Sequence, residues 1–181
     1  MRWGGYWRWL RAPLLIERIW IRRGRCGVCR RTHALLPDLV LARRLDDVAV
    51  IGRGIALKVM ASVGLRPVAE HLDVPHTTVR TWWRRFQSGS PRLATQCSAL
   101  GVALDGAPVM LTTSGERAAL DALQVAWQRA HVRFRQSVGD LWRFWSRISG
   151  GHALGTNTTS PWAGAHGADW MAASHFGGTP P

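Results

Sequence analysis

Between Arg66 and Phe86 the chain reads Arg66-Pro-Val-Ala-Glu-His-Leu-Asp-Val-Pro-His-Thr-Thr-Val-Arg-Thr-Trp-Trp-Arg-Arg-Phe86, and this stretch leaves the backbone the least choice. Two short helices crossing at a tight turn need a small residue in the first helix, where the second passes close by. They also need apolar residues around the turn and two apolar anchors on the second helix. Ala69 is the small residue, Leu72 and Val74 flank the turn, and Val79 and Trp82 are the anchors. The one departure is Asp73, at the turn position that glycine suits best; aspartate enters the left-handed region more readily than most residues. Pro75 suits the first turn of the second helix, where a missing N–H has no partner to lose.

The second helix divides into two faces. Val79, Trp82 and Phe86 recur at helical spacing and form the inward face. His76, Thr77, Arg80, Thr81 and Arg84 form the outward face. In a DNA-binding helix-turn-helix such a face lies in the major groove. Arginine takes guanine O6 and N7 together there, and threonine suits phosphates and the thymine methyl. Arg66 and Arg85 are placed as phosphate contacts, which position the helix without reading sequence. The competing reading is an ordinary αα-hairpin with a solvated basic face. A supporting helix is expected upstream, capped by Asp46 or Asp47, with Val48, Ile51, Ile55 and Val59 as its apolar stripe and Gly64 at its end. Gly52 and Gly54 lower its intrinsic stability by about 1 kcal/mol each if exposed, or else allow another helix to cross closely. The three-helix domain spans residues 45–88.

Charge points to the same class of partner. The 181 residues carry a net charge of +13, and 23 of the 24 basic side chains are arginines. Residues 1–44 hold 11 of them against Glu17 and Asp38, a net of +9, while residues 45–92 contribute +3. The basic field is therefore strongest at the N-terminus and implies a polyanionic partner. A GC-rich genome also favours arginine over lysine, but that does not explain an excess of base over acid. At 46% hydrophobic the composition is that of a folding chain. No apolar run approaches the about 20 residues a transmembrane helix needs, and no secretory leader pattern precedes Arg8 and Arg11. A soluble, cytoplasmic protein is expected.

Cys26-Gly27-Val28-Cys29 is a C-x-x-C pair, and the third cysteine, Cys97, is remote. An odd count argues against a disulfide framework. The pair has the shape of a zinc knuckle, in which a glycine lets two thiolates turn toward one metal; His33 is a candidate third ligand. Four ligands are needed and no second C-x-x-C exists, so Cys26 and Cys29 read as an incomplete zinc site. A metal-free remnant and, less so, a redox pair are the alternatives. The alternation of Arg18-Ile19-Trp20-Ile21-Arg22 predicts a strand leading into the knuckle. The aromatic-rich opening, with Trp3, Tyr6, Trp7 and Trp9, fits the inner strands of a small ribbon over residues 1–40, truncated at its N-terminus.

Beyond the three helices, Ser88-Gly89-Ser90-Pro91 reads as a break. A helix is expected over 92–104, with Leu93, Cys97, Leu100 and Leu104 on one face, then a turn at Asp105-Gly106-Ala107-Pro108. Thr113-Ser-Gly-Glu116 has the pattern of a capping box. A stripe follows through Leu120, Leu123, Trp127, Ala130, Phe134, Ser137, Leu141, Phe144 and Ile148, with a kink or split expected at Gly139. Region 92–149 either packs on the preceding helices or forms a homodimer seam along 120–148. Residues 150–181, with seven glycines and a single charge, read as a flexible tail. The expected architecture is mainly α: a small β-ribbon, a three-helix domain, a C-terminal helical segment and a tail.

No catalytic constellation stands out. The 11 carboxylates are too few and too scattered for a two-metal recombinase site, and no glycine-rich phosphate loop occurs in a strand–helix context. A non-enzymatic role is expected.

The runs Arg25-Cys-Gly-Val-Cys-Arg-Arg-Thr-His-Ala-Leu-Leu-Pro37 and Arg66–Phe86, with the later Gly150-Gly-His-Ala-Leu-Gly-Thr-Asn-Thr-Thr-Ser-Pro-Trp162, resemble an actinobacterial family of uncharacterised helix-turn-helix proteins. Its members are similar to the N-terminal part of transposases, a zinc ribbon followed by a helix-turn-helix. The resemblance covers about residues 15–162 and implies binding to double-stranded DNA, by a transposon-associated recognition module or a transcriptional regulator. It implies that Cys26 and Cys29 are the family's second knuckle, and that the first is missing. It also implies some order in residues 150–162. The alternative is an assembly protein that binds nucleic acid without sequence preference through its basic N-terminus.

Overall fold

The period-two alternation of the N-terminal residues is realised as strands. The computed structural model describes residues 2–12 and 15–155, and in it β1 (Arg2–Ala12) pairs antiparallel with β2 (Leu15–Arg25), which pairs antiparallel with β3 (Thr32–Leu35). The register sets Trp7 opposite Trp20, Trp9 opposite Arg18 and Leu10 opposite Glu17. One face of this sheet closes on the rest of the chain: Leu10 and Ile21 are buried against Val40, with Ile19, Leu36 and Leu39 around them.

The remainder is helical, so the chain is mainly α with one three-stranded sheet. α1 (Val48–Met60) begins at Asp47, whose carboxylate accepts from the Ala49 N–H at 2.7 Å. α2 (Leu65–Leu72) ends at Asp73, which adopts the left-handed conformation (φ 51°, ψ 48°) expected of that turn. The Val74 N–H then donates to the Ala69 carbonyl at 3.0 Å, which closes the turn. α3 runs from His76 to Asp105. Ala69, Val74, Val79, Trp82 and Phe86 are all buried. Gly52 and Gly54 are buried in α1 as crossing points: a Cβ on Gly52 would run into the Trp142 ring, and one on Gly54 would lie 3.1 Å from Leu72 and 3.6 Å from Trp82.

α3 corrects the expected break at Ser88–Pro91, because the helix continues through Pro91 for 30 residues in all. An interior proline removes one helical hydrogen bond and costs about 3 kcal/mol. Local bonds and packing offset that loss. The buried Ser90 hydroxyl donates to the Phe86 carbonyl at 2.8 Å, and Ser88 donates to the Arg85 carbonyl at 3.1 Å. Downstream, Cys97, Leu100 and Leu104 are buried on the face expected of them. The helix stops at Gly106, left-handed at φ 77°.

α4 (Gly115–Phe134) folds back along α3. The expected capping box is not formed, since no side chain caps at Ser114, and Thr113 donates instead to Asp121 at 2.7 Å. Arg129 clamps the connection, reaching Asp105 at 2.8 Å and the Ala107 carbonyl at 2.6 Å. A short 3-10 turn (Arg135–Val138) and a left-handed Gly139 separate α4 from α5 (Leu141–Ile148), as expected of that glycine. Leu120, Leu123, Ala130 and Phe144 are buried inside the chain. These four side chains serve intramolecular packing, the first of the two expected uses, while Phe134 of the same stripe is exposed.

Residues 150–155 are a second correction, because they belong to the fold rather than to a tail. Leu154 is buried, and the Ala42 N–H donates to the Gly151 carbonyl at 2.7 Å. The rest of the expected tail, 156–181, lies outside the described residues. No helix among the described residues is long and apolar enough to cross a membrane.

Candidate nucleic-acid interface

The first half of α3 carries the outward face. Burial of Val79, Trp82 and Phe86 against α1 and α2 turns Thr77, Arg80 and Arg84 to solvent, while His76 and Thr81 are half-buried at the edges. The Thr81 hydroxyl donates back to the Thr77 carbonyl at 2.8 Å, which leaves its oxygen as an acceptor. Arg80 and Arg84 make no hydrogen bond or ion pair with the described residues, and neither does exposed Arg66. Together these side chains form a basic face with free donors. All five expected base-facing residues and Arg66 lie on α2, α3 and the surface beside their turn.

Arg85 departs from the expectation of a phosphate contact. It is half-buried, and its Nη1 donates to the Leu154 carbonyl at 3.1 Å, where Arg44 Nη2 also donates at 3.2 Å. The second arginine is a structural clasp on the C-terminal segment. Two guanidinium groups at one carbonyl repel; burial, followed by the Arg85 charge, pulls the Arg44 pKa down.

The cysteine pair sits in the turn between β2 and β3. The Cys29 N–H lies 3.5 Å from Cys26 Sγ, and Cys29 Sγ lies 3.4 Å from His33 Nε2. Backbone N–H groups of Cys29 and Val28 aimed at Cys26 Sγ lower that thiol's pKa, because they stabilise the thiolate. This is the donor chemistry a zinc knuckle uses. Yet among the described residues no three His, Cys, Asp or Glu side chains converge closely enough to hold a metal ion. The residues present therefore do not make a complete site. Cys97 is buried, its thiol pushed up to about 12 by burial, and is a core residue.

The sheet is tied to the helices at one charged junction. Arg11 Nε lies 2.9 Å from the buried Asp46 carboxylate, and the backbones of Arg11 and Asp46 form a parallel bridge. Burial raises the Asp46 pKa, against the lowering influence of Arg11. Arg8 adds a bond to the Leu41 carbonyl at 3.0 Å.

Sequence reasoning missed the outer face of the sheet. Trp7, Trp9 and Trp20 are exposed there with Arg18 among them. The signal was the alternation Trp7-Arg8-Trp9-Leu10, which assigns Leu10 to one face and both indoles to the other. Comparison with protein-family models, with curated proteins and with solved structures finds no match.

Proposed function

We propose that this chain is a helix-turn-helix DNA-binding protein, a recognition module of a transposon system or a transcriptional regulator. α1, α2 and the first half of α3 form its DNA-binding unit, and α3 enters the major groove. One observation carries the reading: Thr77, Arg80 and Arg84 stand exposed and uncommitted on the helix whose opposite face, Val79, Trp82 and Phe86, is buried behind a left-handed turn at Asp73. His76 and Thr81 flank them, and Arg66 is the phosphate contact. Arg85 is withdrawn from that role by its bond to Leu154.

Cys26 and Cys29 are the thiolate pair of half a zinc knuckle, with His33 beside Cys29, and the three do not converge into a metal site. A four-coordinate structural site needs a further ligand, so the zinc assignment stays partial and no part of the DNA contact depends on it.

The test is selection of bound sites from random duplex DNA, followed by titration of the selected site. Arg80→Ala and Arg84→Ala each lower preference for that site by about 1–3 kcal/mol, the worth of one good base contact. If no motif is enriched, or both variants only weaken binding uniformly and flatten its salt dependence, the protein is the sequence-indifferent binder of the rival reading.

A further inference from the structure

We propose that the outer face of the N-terminal sheet is a second nucleic-acid site, separate from α3, which takes an unpaired strand by stacking its bases on Trp7, Trp9 and Trp20. The proposal is independent of the reading of α3.

The register assigns Gly5, Trp7, Trp9 and Arg11 of β1 and Ile16, Arg18, Trp20 and Arg22 of β2 to one face. The other face carries Leu10 and Ile21 and is closed by Val40. On the outer face Trp7 is 56% exposed, Trp9 57% and Trp20 46%. An isolated exposed indole is ordinary, but three on adjacent strands form a contiguous apolar surface.

The indoles are held in place rather than left loose. A Cβ on Gly5 would lie 2.6 Å from the Trp20 ring, so the missing side chain lets that indole lie across β1. Trp7 meets it edge-on at 5.3 Å between centroids and 66° between planes. The Arg18 guanidinium sits 5.2 Å from the centre of the Trp7 ring and 5.4 Å from that of Trp9. Rings with restricted freedom lose little entropy when a base stacks on them.

Charge selects the occupant. Arg18 and Arg22 stand exposed on this face, and Glu17, the one acid of the described strands, falls on the other register face. A protein partner meeting this face would have to bury indoles and satisfy several arginines at once. A single strand supplies both complements in alternation, phosphates for the guanidiniums and base faces for the indoles. A duplex does not, because its bases are already stacked on one another and present only their edges. The face therefore discriminates between unpaired and paired strands, whereas the exposed side chains of α3 at Thr77, Arg80 and Arg84 offer hydrogen bonds and charge rather than stacking surfaces.

The experiment measures binding of the full chain to fluorescein-labelled oligothymidylate by anisotropy over a series of salt concentrations. Trp9→Ala and Trp9→Phe are run in parallel, and folding is checked by thermal melts. Trp9 is mostly solvent-exposed, so both variants are expected to fold. Trp9→Ala weakens oligothymidylate binding about tenfold, with an unchanged slope against salt, and Trp9→Phe restores most of it, as expected for one lost stacking partner. Trp20→Phe, with a smaller ring over Gly5, gives an intermediate loss. Wild-type affinity in Trp9→Ala overturns the proposal, leaving only charge to bind the strand. So does a change in molecular mass by light scattering in Trp9→Ala without a change in oligothymidylate affinity, because the face is then a contact between two copies of the chain.

Discussion

In the helical body Trp82 and Trp145 are fully buried, and Phe86 meets Trp145 edge-on at 6.2 Å. In the sheet Trp7, Trp9 and Trp20 lie open to solvent, and only Leu10 and Ile21 reach a buried cluster, the small one completed by Val40. The same residue type serves as core in one region and as surface in the other. Helices packed on several sides can bury an aromatic completely, while this three-stranded sheet has only one face against the chain. The sheet therefore depends on its docking contacts, Leu10 and the Arg11–Asp46 pair, more than on its own pairing.

The sharpest way to break this contrast is to truncate one tryptophan in each region. Trp82→Ala should lose about 3–5 kcal/mol of stability, the usual consequence of removing a fully buried aromatic. Trp9→Ala should lose less than about 0.5 kcal/mol, as an exposed substitution does. Urea unfolding midpoints read both, and equal losses would mean that the sheet's outer face is packed after all. Next in size is Gly52→Ala. Helix propensity alone favours alanine by about 1 kcal/mol, but the Cβ would meet Trp142, and overpacking costs about 1–3 kcal/mol. A net loss is expected, and a net gain would show that α5 does not rest on α1 there.

Smaller effects probe the junction itself. Burial raises the Asp46 pKa, so the folded chain holds that proton more tightly than the unfolded chain does. The ionised carboxylate thus carries a penalty at neutral pH, which is relieved as pH falls through the folded value toward the ordinary carboxyl value. Against Asp46→Asn, the wild type should therefore gain stability as pH falls toward the ordinary carboxyl value of about 4. A shift in the opposite direction would mean that the Arg11 attraction outweighs desolvation. The smallest signal is chemical. Cys26 and Cys29, at the open end of the sheet, should react with a thiol reagent in the folded protein, and Cys97 only after unfolding, because burial keeps its thiol protonated. Protection of the first two by added zinc would sharpen the knuckle assignment.

What was legible in the sequence was local. Ala69, Val74, Val79 and Trp82 lie within one turn and two helices, so spacing alone assigns their burial, and Asp73 takes the left-handed turn. The alternation Trp7-Arg8-Trp9-Leu10 also carried the two faces of β1, a signal hidden by the aromatic density of that run. What was not legible depended on distant partners. Ser88–Pro91 reads as a break until α4 is known to pack along the far half of α3. Arg85 looks like a surface cation until Leu154, 69 residues away, supplies its acceptor. Gly52 looks like a helix weakness until Trp142 arrives to cover it.

The clasp at Leu154 has a consequence for synthesis. Arg44 waits for an acceptor 110 residues further along the chain. At a translation rate of about 5–20 residues per second, that is an interval of about 5–20 s. During it the sheet and α1 exist without the segment that closes the region between them, while Arg44 and later Arg85 stay hydrated. The segment at Leu154 thus completes a seat laid down 110 residues earlier, and this corner of the fold closes only when both have left the ribosome.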